Sequence, residues 1–287
     1  MRKNIIISLA LLILFGQIGY AAFEETESSP RAEGMSESVT AIVSNPLEAI
    51  YNPGGLTNID NIEVVSYYRK PYGLFQSAGA GFAIPSKIGV SALNLRWFSV
   101  QGDYRNGDSI LIEADAELHR EATVSLSHGV ALQDNFSIGS TVHVYNLKQA
   151  RFGSTYALGF DLGVAGTLYD YWKVGISLHN INSPSLGKEN PEELPRVLRA
   201  GFAFSPTSSI NSSFEIRHEV GFPLRFSTGH EFAVSRYLTF RTGVQTEPVR
   251  FSAGLSINFN PFILNYAVVQ HAVLPWTHQI SVGYILR

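Results

Sequence analysis

The stretch Trp172-Lys173-Val174-Gly175-Ile176-Ser177-Leu178-His179 alternates between larger apolar residues and small or polar ones. Successive side chains of a β-strand point to opposite faces of a sheet, so one face of this stretch is apolar and the other is polar. The same period of two recurs from about residue 61 to the end of the chain. The pattern predicts an all-β fold built from antiparallel strands.

Fourteen alternating segments can be delimited in this region. They cover residues 61–69, 77–84, 87–100, 110–131, 134–148, 154–168, 171–182, 195–205, 208–218, 224–234, 236–245, 249–259, 261–271 and 276–286. The fourth is too long for one membrane crossing, so we expect it to project from the sheet or to break near His119-Arg120. Short turns are expected at Pro85-Ser86, Gln133-Asp134, Asp170, Pro206-Thr207, Ser235 and Asn260, and longer loops elsewhere. Short turns at one end and loops at the other are typical of outer-membrane β-barrels, in which an even strand number places both termini at the short-turn end.

Composition narrows the class of protein further. Only 16% of the residues are charged, against roughly 25% in an average soluble domain. The absence of cysteine excludes a disulfide framework and thiolate metal sites. The net charge of -3 gives no indication of a nucleic-acid partner.

The first 21 residues have the features of a secretory signal peptide. Arg2 and Lys3 precede an apolar run over residues 5–15, and Gly19 and Ala21 supply small side chains before a cleavage site. The alternative is an uncleaved anchor, but a spanning helix needs about 20 apolar residues. We therefore expect the mature chain to begin at Ala22. No helix-length apolar run follows, so a membrane-embedded mature chain has to be a closed β-barrel.

An exported β-sandwich also has alternating strands, and the composition of the polar face distinguishes the two folds. A sandwich exposes that face to water and is rich in Lys and Glu there, whereas this chain has Ser, Thr, Gly and Asn. One Arg on the lipid face of a barrel costs roughly 2–4 kcal/mol at the midplane. The charged residues are therefore expected to face the lumen, where they would form a salt-bridge network of Asp161, Lys173, Arg199, Glu215, Arg217, Glu231, Arg241 and Arg250.

Residues on the face of each strand opposite to the charged residues are predicted to face lipid. These include Val174, Ile176, Phe202, Phe251, Leu255 and Val282. Aromatic residues cluster near the predicted strand ends, as in the interfacial girdles of membrane barrels. They are Tyr67, Tyr68, Tyr169, Tyr171, Trp172, Phe259, Phe262 and Trp276.

A turn motif stands directly before the first strand. In Asn52-Pro53-Gly54-Gly55-Leu56 the proline fixes φ and the glycines tolerate left-handed angles. The motif resembles the Asn-Pro-Ala-Gly-Leu signature of the FadL-like outer-membrane proteins, with Gly54 in the place of Ala. The resemblance implies that residues 22–60 form a hatch that enters the mouth of a barrel formed by residues 61–287. A turn that reverses the chain there is expected to pack Leu56 against the wall, and Asn52 is expected to bond to backbone groups because a buried amide left unpaired costs roughly 1–3 kcal/mol. The resemblance also implies transport of hydrophobic small molecules.

The C-terminal region resembles one branch of that superfamily, the PorV/PorQ-like proteins. The matching segments are Leu264-Asn265-Tyr266-Ala267 and Leu274-Pro275-Trp276-Thr277-His278-Gln279-Ile280-Ser281-Val282-Gly283. This resemblance implies an alternative role, as a component of type IX protein secretion or surface attachment. A purely structural barrel is a third possibility.

Catalytic motifs are absent from the sequence. There is no Gly-x-Ser-x-Gly elbow, no His-Glu-x-x-His pair and no phosphate-binding loop. His128, His143, His179 and His278 could approach one another only if the strand register permits it. We therefore expect a monomeric barrel of the bacterial outer membrane, without enzymatic activity, cofactor, metal or nucleic-acid partner. Its expected partners are outer-membrane lipid and either hydrophobic small molecules or secretion-system proteins.

Overall fold

The computed structural model describes residues 22–23, 29–106, 110–150, 152–187 and 191–286, so the predicted signal peptide lies outside it. Within these ranges fourteen antiparallel strands close into one barrel, which confirms the predicted fold class. The barrel strands are β1 (Ile62–Lys70), β2 (Gln76–Ser86), β3 (Gly89–Asn106), β4 (Ile110–Gln133), β5 (Phe136–Gln149), β6 (Gly153–Leu168), β7 (Trp172–His179), β10 (Val197–Thr207), β11 (Ile210–Glu219), β12 (Arg225–Ser235), β13 (Leu238–Gln245), β14 (Arg250–Phe259), β15 (Phe262–Gln270) and β16 (Thr277–Leu286). The short strands β8 (Ser185–Leu186) and β9 (Glu192–Glu193) pair with each other in the loop between β7 and β10.

The barrel closes where the first strand meets the last. Register runs from Ile62 opposite Leu286 to Lys70 opposite His278, so both ends of the barrel chain lie at the short-turn end. Three of the predicted turns are displaced. Pro85 and Pro206 lie within β2 and β10, and the turns fall at 87–88 and 208–209, because strand pairing continues past each proline. Ser235 likewise belongs to β12, where it pairs with Leu238, and the turn falls at 236–237.

The long fourth strand does not break at the predicted point. β4 runs through His119 and Arg120 without interruption. Its register against β3 instead shifts between Val100 and Gln101, opposite the step from His119 to Glu117. An extra residue on one strand bends and twists a ladder without ending it, and so absorbs the irregularity that the sequence indicates.

The outer face of the barrel is apolar on all sides. Ile176, Phe202 and Val282 are 49%, 43% and 44% exposed, whereas Arg199 and Arg217 on the inner face are 4% and 6% exposed. A continuous apolar surface of this kind is foreign to soluble monomers and marks contact with a membrane or partner. No helix in the described part of the chain has the length and apolar character to span a membrane.

Most of the aromatic residues expected at the strand ends are exposed there. Those with exposed side chains are Tyr68, Tyr169, Tyr171, Phe259, Phe262 and Trp276, and Trp172 is half-buried. Tyr67 is an exception, because it is 4% exposed and packs inside the barrel with Leu47 and Val65. Its phase on β1 is that of the inward residues Val65 and Arg69, and proximity to a strand end does not alter that phase.

Residues 29–59, called the N-terminal segment below, lie inside the barrel. The segment contains helix α1 (Pro30–Gly34) and two 3-10 helices, Pro46–Ile50 and Pro53–Asn58. Each helix begins with a proline that follows a Ser or Asn cap, an arrangement in which the cap side chain satisfies a free backbone N–H and the proline supplies a helical φ. Nearly every side chain of the segment is buried against the wall or against the segment itself.

Inward-facing glycines make room for the N-terminal segment. A Cβ atom at Gly139 would lie 2.4 Å from the backbone of Pro53, and one at Gly175 would lie 2.2 Å from the carbonyl oxygen of Thr40. Similar approaches occur around the wall. The residues involved, called the lumenal glycines below, are Gly81, Gly129, Gly139, Gly163, Gly175, Gly201, Gly229, Gly243 and Gly254. They let the segment's backbone approach the strands more closely than any larger residue would allow.

Candidate functional site

Charged side chains join the N-terminal segment to the wall. Nε and Nη2 of Arg31 donate to the two carboxylate oxygens of Glu231 at 2.9 and 3.2 Å, and Nη1 donates to Glu48 at 2.9 Å. Glu231 also accepts from Arg241 of the neighbouring strand. Paired guanidinium–carboxylate bonds of this kind are directional as well as strong, so they fix the position of α1 in the lumen.

The electrostatic environment keeps Arg31 charged. Burial by itself lowers the pKa of this guanidinium, but the carboxylates of Glu231 and Glu48 outweigh burial and raise the pKa above its ordinary value. The cation therefore remains available for pairing at any pH at which its two partners are ionised.

A second group of ion pairs surrounds Glu37. Its carboxylate lies 2.9 Å from Arg199, 3.7 Å from Arg225 and 4.0 Å from Arg217. Arg199 is further paired with Glu215 at 2.7 Å, and its guanidinium lies over the ring of Tyr51. The Glu37 carboxylate thus lies among three wall guanidiniums that would otherwise face one another in the lumen.

The charges in these described ion pairs cancel. Arg69 pairs with Glu33 of the segment and Arg217 pairs with Glu219, in addition to the pairs around Arg31 and Glu37. The segment contributes one guanidinium and three carboxylates, and the wall contributes five guanidiniums and three carboxylates. Buried charges are tolerated only when paired, so the segment and the wall each neutralise charge that the other buries.

The Asn52-Pro53-Gly54-Gly55-Leu56 motif forms the start of the second 3-10 helix. The Asn52 amide nitrogen donates to the carbonyl oxygens of Thr40 and Val164, both at 2.8 Å, and its amide oxygen accepts from the N–H of Gly54 at 3.0 Å. Leu56 is fully buried in a cluster that includes Ala83, Val90 and Ala92 of the wall. Asn52 therefore links two parts of the segment to β6.

A hydrogen-bonded chain crosses four wall strands above this motif. Ser125 bonds to His143 at 2.7 Å, and His143 and His179 both bond to Asp161 at 2.8 Å. Ser177 donates to the carbonyl oxygen of Tyr51 at 2.6 Å and lies 2.9 Å from His179. Ser177 therefore connects this group of wall side chains to Tyr51 of the N-terminal segment.

Two cavities lie on either side of the segment. At the short-turn end a cavity of about 630 Å³ has mainly polar walls, including Asp60, Glu63, Lys173 and Asn211. On the loop side a cavity of about 80 Å³ is bordered by aromatic and aliphatic side chains, among them those of Phe23, Ile50 and Tyr145, as well as by the Asp161 group. The segment separates the two spaces and leaves little room between itself and the wall.

The structure brings five of the eight predicted network residues together around the segment. Arg199, Glu215, Arg217, Glu231 and Arg241 take part in the ion pairs described above. Asp161 instead belongs to the histidine group, Lys173 is half-buried beside the larger cavity, and Arg250 begins β14 opposite Gln245. No group of three or more residues among those described has the arrangement of a metal site.

Sequence reasoning missed the partners that the segment itself supplies. Arg31, Glu33, Glu37 and Glu48 carry the segment's half of the network. A signal for them was present, because a segment expected inside the lumen and bearing both signs of charge has to find counter-charges on the inward face of the strands.

These features define a class of protein: a closed fourteen-stranded barrel, filled by its own N-terminal segment, with the FadL-like fold and a resemblance to outer-membrane channels. The chain is similar to the CymD monoaromatic hydrocarbon channel, with a TM-score of 0.64 and 12% identity over 93% of this chain and 99% of that one. It is also similar to a FadL homologue of Pseudomonas aeruginosa, with a TM-score of 0.61 and 11% identity over 90% of this chain and 98% of that one.

A third similar structure is the toluene transporter TodX of Pseudomonas putida. Its TM-score is 0.55, with 14% identity over 88% of this chain and 95% of that one. No protein-family model matches the sequence, and no curated protein matches it either. At such low identities the likeness establishes the fold.

Proposed function

We propose that this protein is a channel of the bacterial outer membrane for hydrophobic small molecules, closed in this state by its N-terminal segment. The fold shared with hydrocarbon channels over about nine-tenths of the chain is the observation that carries the proposal. The apolar outer face and the small loop-side cavity, bordered by aromatic and aliphatic side chains, support it. Hydrophobic molecules that enter from the loop side would reach this cavity before they reach the N-terminal segment.

The segment is the gate in this proposal. Its ion pairs and the Asn52 contacts close the lumen, so a cargo molecule passes only if the segment moves or if a path avoids it. The motif is closely apposed to the wall, because its backbone lies against the lumenal glycines of β4, β5 and β6.

Substitution of one lumenal glycine tests the gate without touching a charge. In Gly139→Ala the added Cβ meets the Pro53 backbone at 2.4 Å, so the motif has to move away from β5. Gly283→Ala is the matched control, because this glycine lines the larger cavity and its nearest atoms would lie at 3.5 Å or more. Both variants should keep the strand pairing and the mobility shift on heating in detergent that folded barrels show.

Two measurements separate the parts of the proposal. Gly139→Ala should increase ion conductance in a planar bilayer and the entry of the hydrophobic probe N-phenylnaphthylamine into cells, and Gly283→Ala should change neither. Greater conductance without greater probe entry would support the gating role of the segment and contradict the transport of hydrophobic molecules. Recovery of the protein outside the outer-membrane fraction would reject the location.

The filled lumen is the observation that favours a second candidate, a PorV/PorQ-like component of protein secretion or surface attachment. A barrel whose interior is closed by a neutral set of ion pairs is suited to binding partners at its loops rather than to conduction. If a folded Gly139→Ala variant leaves both permeabilities unchanged, this candidate becomes the preferred one. Secretion-system proteins should then co-purify with the barrel from native outer membrane.

A further inference from the structure

The first two residues after the predicted cleavage site are buried in the lumen. Ala22 and Phe23 are 9% and 2% exposed and pack with Tyr145, Leu186 and Leu194. The Phe23 ring meets the Tyr145 ring edge-on at 4.9 Å, and the guanidinium of Arg96 lies 5.6 Å from its centre. These contacts are those of a bound aromatic ligand, with one ring edge and one cation directed at the Phe23 ring.

Two carboxylates face the backbone nitrogens of these residues. The nitrogen of Ala22 donates to Oε1 of Glu192 at 3.2 Å, and the nitrogen of Phe23 donates to Oε1 of Glu121 at 3.0 Å. Glu121 is also close to two cationic or basic groups, His119 at 3.0 Å and Arg96 at 3.8 Å. Glu192, by contrast, has no ion pair with any Arg, Lys or His in the described ranges, although it is half-buried.

Removal of a signal peptide would place a cation beside Glu192. Hydrolysis of the bond between Ala21 and Ala22 adds the hydroxyl of a water molecule to the Ala21 carbonyl carbon and one proton to the Ala22 nitrogen. The resulting amine takes up a further proton in neutral solution and becomes an ammonium with three N–H donors. A neutral amide with one donor is thereby converted into a cation, 3.2 Å from a carboxylate that makes no ion pair within the described ranges.

We propose that the lumen contains a binding site for the chain's own processed N-terminus, in which Glu192 binds the α-ammonium of Ala22 and the Tyr145–Arg96 pocket binds the ring of Phe23. The proposal rests on cleavage after Ala21 and is independent of any transported cargo. The site lies on the loop side of the N-terminal segment and borders the smaller cavity, so the bound N-terminus covers that cavity. The unprocessed chain lacks the charge that Glu192 binds.

Chemical labelling of the mature protein tests the site. The full chain is purified from outer membranes, its first residue is identified by mass spectrometry, and the α-amine is acetylated with an N-hydroxysuccinimide ester at pH 7. We expect Ala22 as the first residue and slow acetylation in the wild type. In Glu192→Gln the acetylation rate should rise by about tenfold, because the ammonium loses its counter-charge and is bound less tightly in the site.

The neighbouring carboxylate provides the matched control. Glu193 is exposed on the same short strand, and Glu193→Gln should leave the acetylation rate at the wild-type value. Phe23→Ala, which keeps the amine and Glu192 but empties the aromatic pocket, should also accelerate acetylation. Each variant is first shown to fold by its mobility shift on heating. A first residue other than Ala22, or equal rates in the wild type, Glu192→Gln and Phe23→Ala, would overturn the proposal.

Discussion

Glu231 is the residue at which the network can be weakened most sharply. Its carboxylate joins Arg31 of the N-terminal segment to Arg241 of the wall. Glu231→Gln keeps the size of the side chain but removes its charge, so two buried guanidiniums face a neutral amide. Breaking a buried pair in this way costs roughly 3–5 kcal/mol. Arg31 retains Glu48 at 2.9 Å, so we expect the lower end of the range, about 3 kcal/mol.

Urea unfolding of the barrel refolded in lipid vesicles measures this loss. Hydrogen exchange should at the same time show faster exchange over residues 30–50, because the segment loses its bidentate contact with the wall. Glu193→Gln is the control, since this exposed carboxylate makes no ion pair with the described residues. The double variant Arg241→Met with Glu231→Gln should recover part of the loss, because Arg31 retains Glu48 and the second guanidinium that faced Glu231 is gone. A loss below about 1 kcal/mol with unchanged exchange would refute the view that this ion pair holds the segment.

Three further results are expected. Asn52→Ala should lower the free energy of unfolding by roughly 1–3 kcal/mol in the urea titration, because two backbone carbonyl oxygens lose their donor. Asn58→Ala should cost less, because Asn58 is exposed and its described side-chain hydrogen bond goes to the carbonyl oxygen of Val43. Ile176→Arg should destabilise the barrel in lipid by about 2–4 kcal/mol, and Val273→Arg in the exposed 271–276 loop should not; equal stabilities would contradict the assigned lipid face. Asp161→Asn should destabilise by roughly 1–3 kcal/mol in thermal unfolding, since a neutral amide with one acceptor oxygen replaces a carboxylate whose two oxygens both accept, and an unchanged melting temperature would show that the group is dispensable.

The barrel wall could be predicted from sequence because one simple rule governs it. The period of two and the cost of charge in lipid together place Ile176 outward and Arg199 inward. Most strand boundaries fall close to the observed ones, but β3 continues from its predicted end at residue 100 to Asn106. Where a residue's position near a strand end and its place in the alternation give different predictions, the alternation decides which way the side chain faces. Tyr67 is near a strand end, as girdle residues are. It nevertheless faces the lumen, because on β1 it alternates in phase with the inward-facing Val65 and Arg69.

The interior could be predicted only in outline. The sequence predicts that a polar segment lies next to inward-facing charges. It does not predict which carboxylates Arg31 pairs with, because the path of the backbone brings Arg31 to Glu231 of the wall and Glu48 of the segment. The lumenal glycines illustrate the same limit. A glycine on a strand indicates that another group approaches the backbone closely, but it does not indicate which group. The sequence therefore does not predict that Gly139 lies against Pro53.

The route of the N-terminal segment has a mechanical consequence. Helix α1 lies against β14 and β15, and the Pro53–Asn58 helix lies against β4, β5 and β6, which are on the opposite side of the fourteen-strand ring. The segment is thus a strut across the diameter. An empty cylinder of this width can flatten into an ellipse while its strands stay paired, whereas flattening along the strut has to break the contacts at its ends. These contacts are ion pairs at α1 and hydrogen bonds at the Asn52 motif. The elasticity of this barrel therefore depends on what fills it, and any signal that releases the segment also softens the wall.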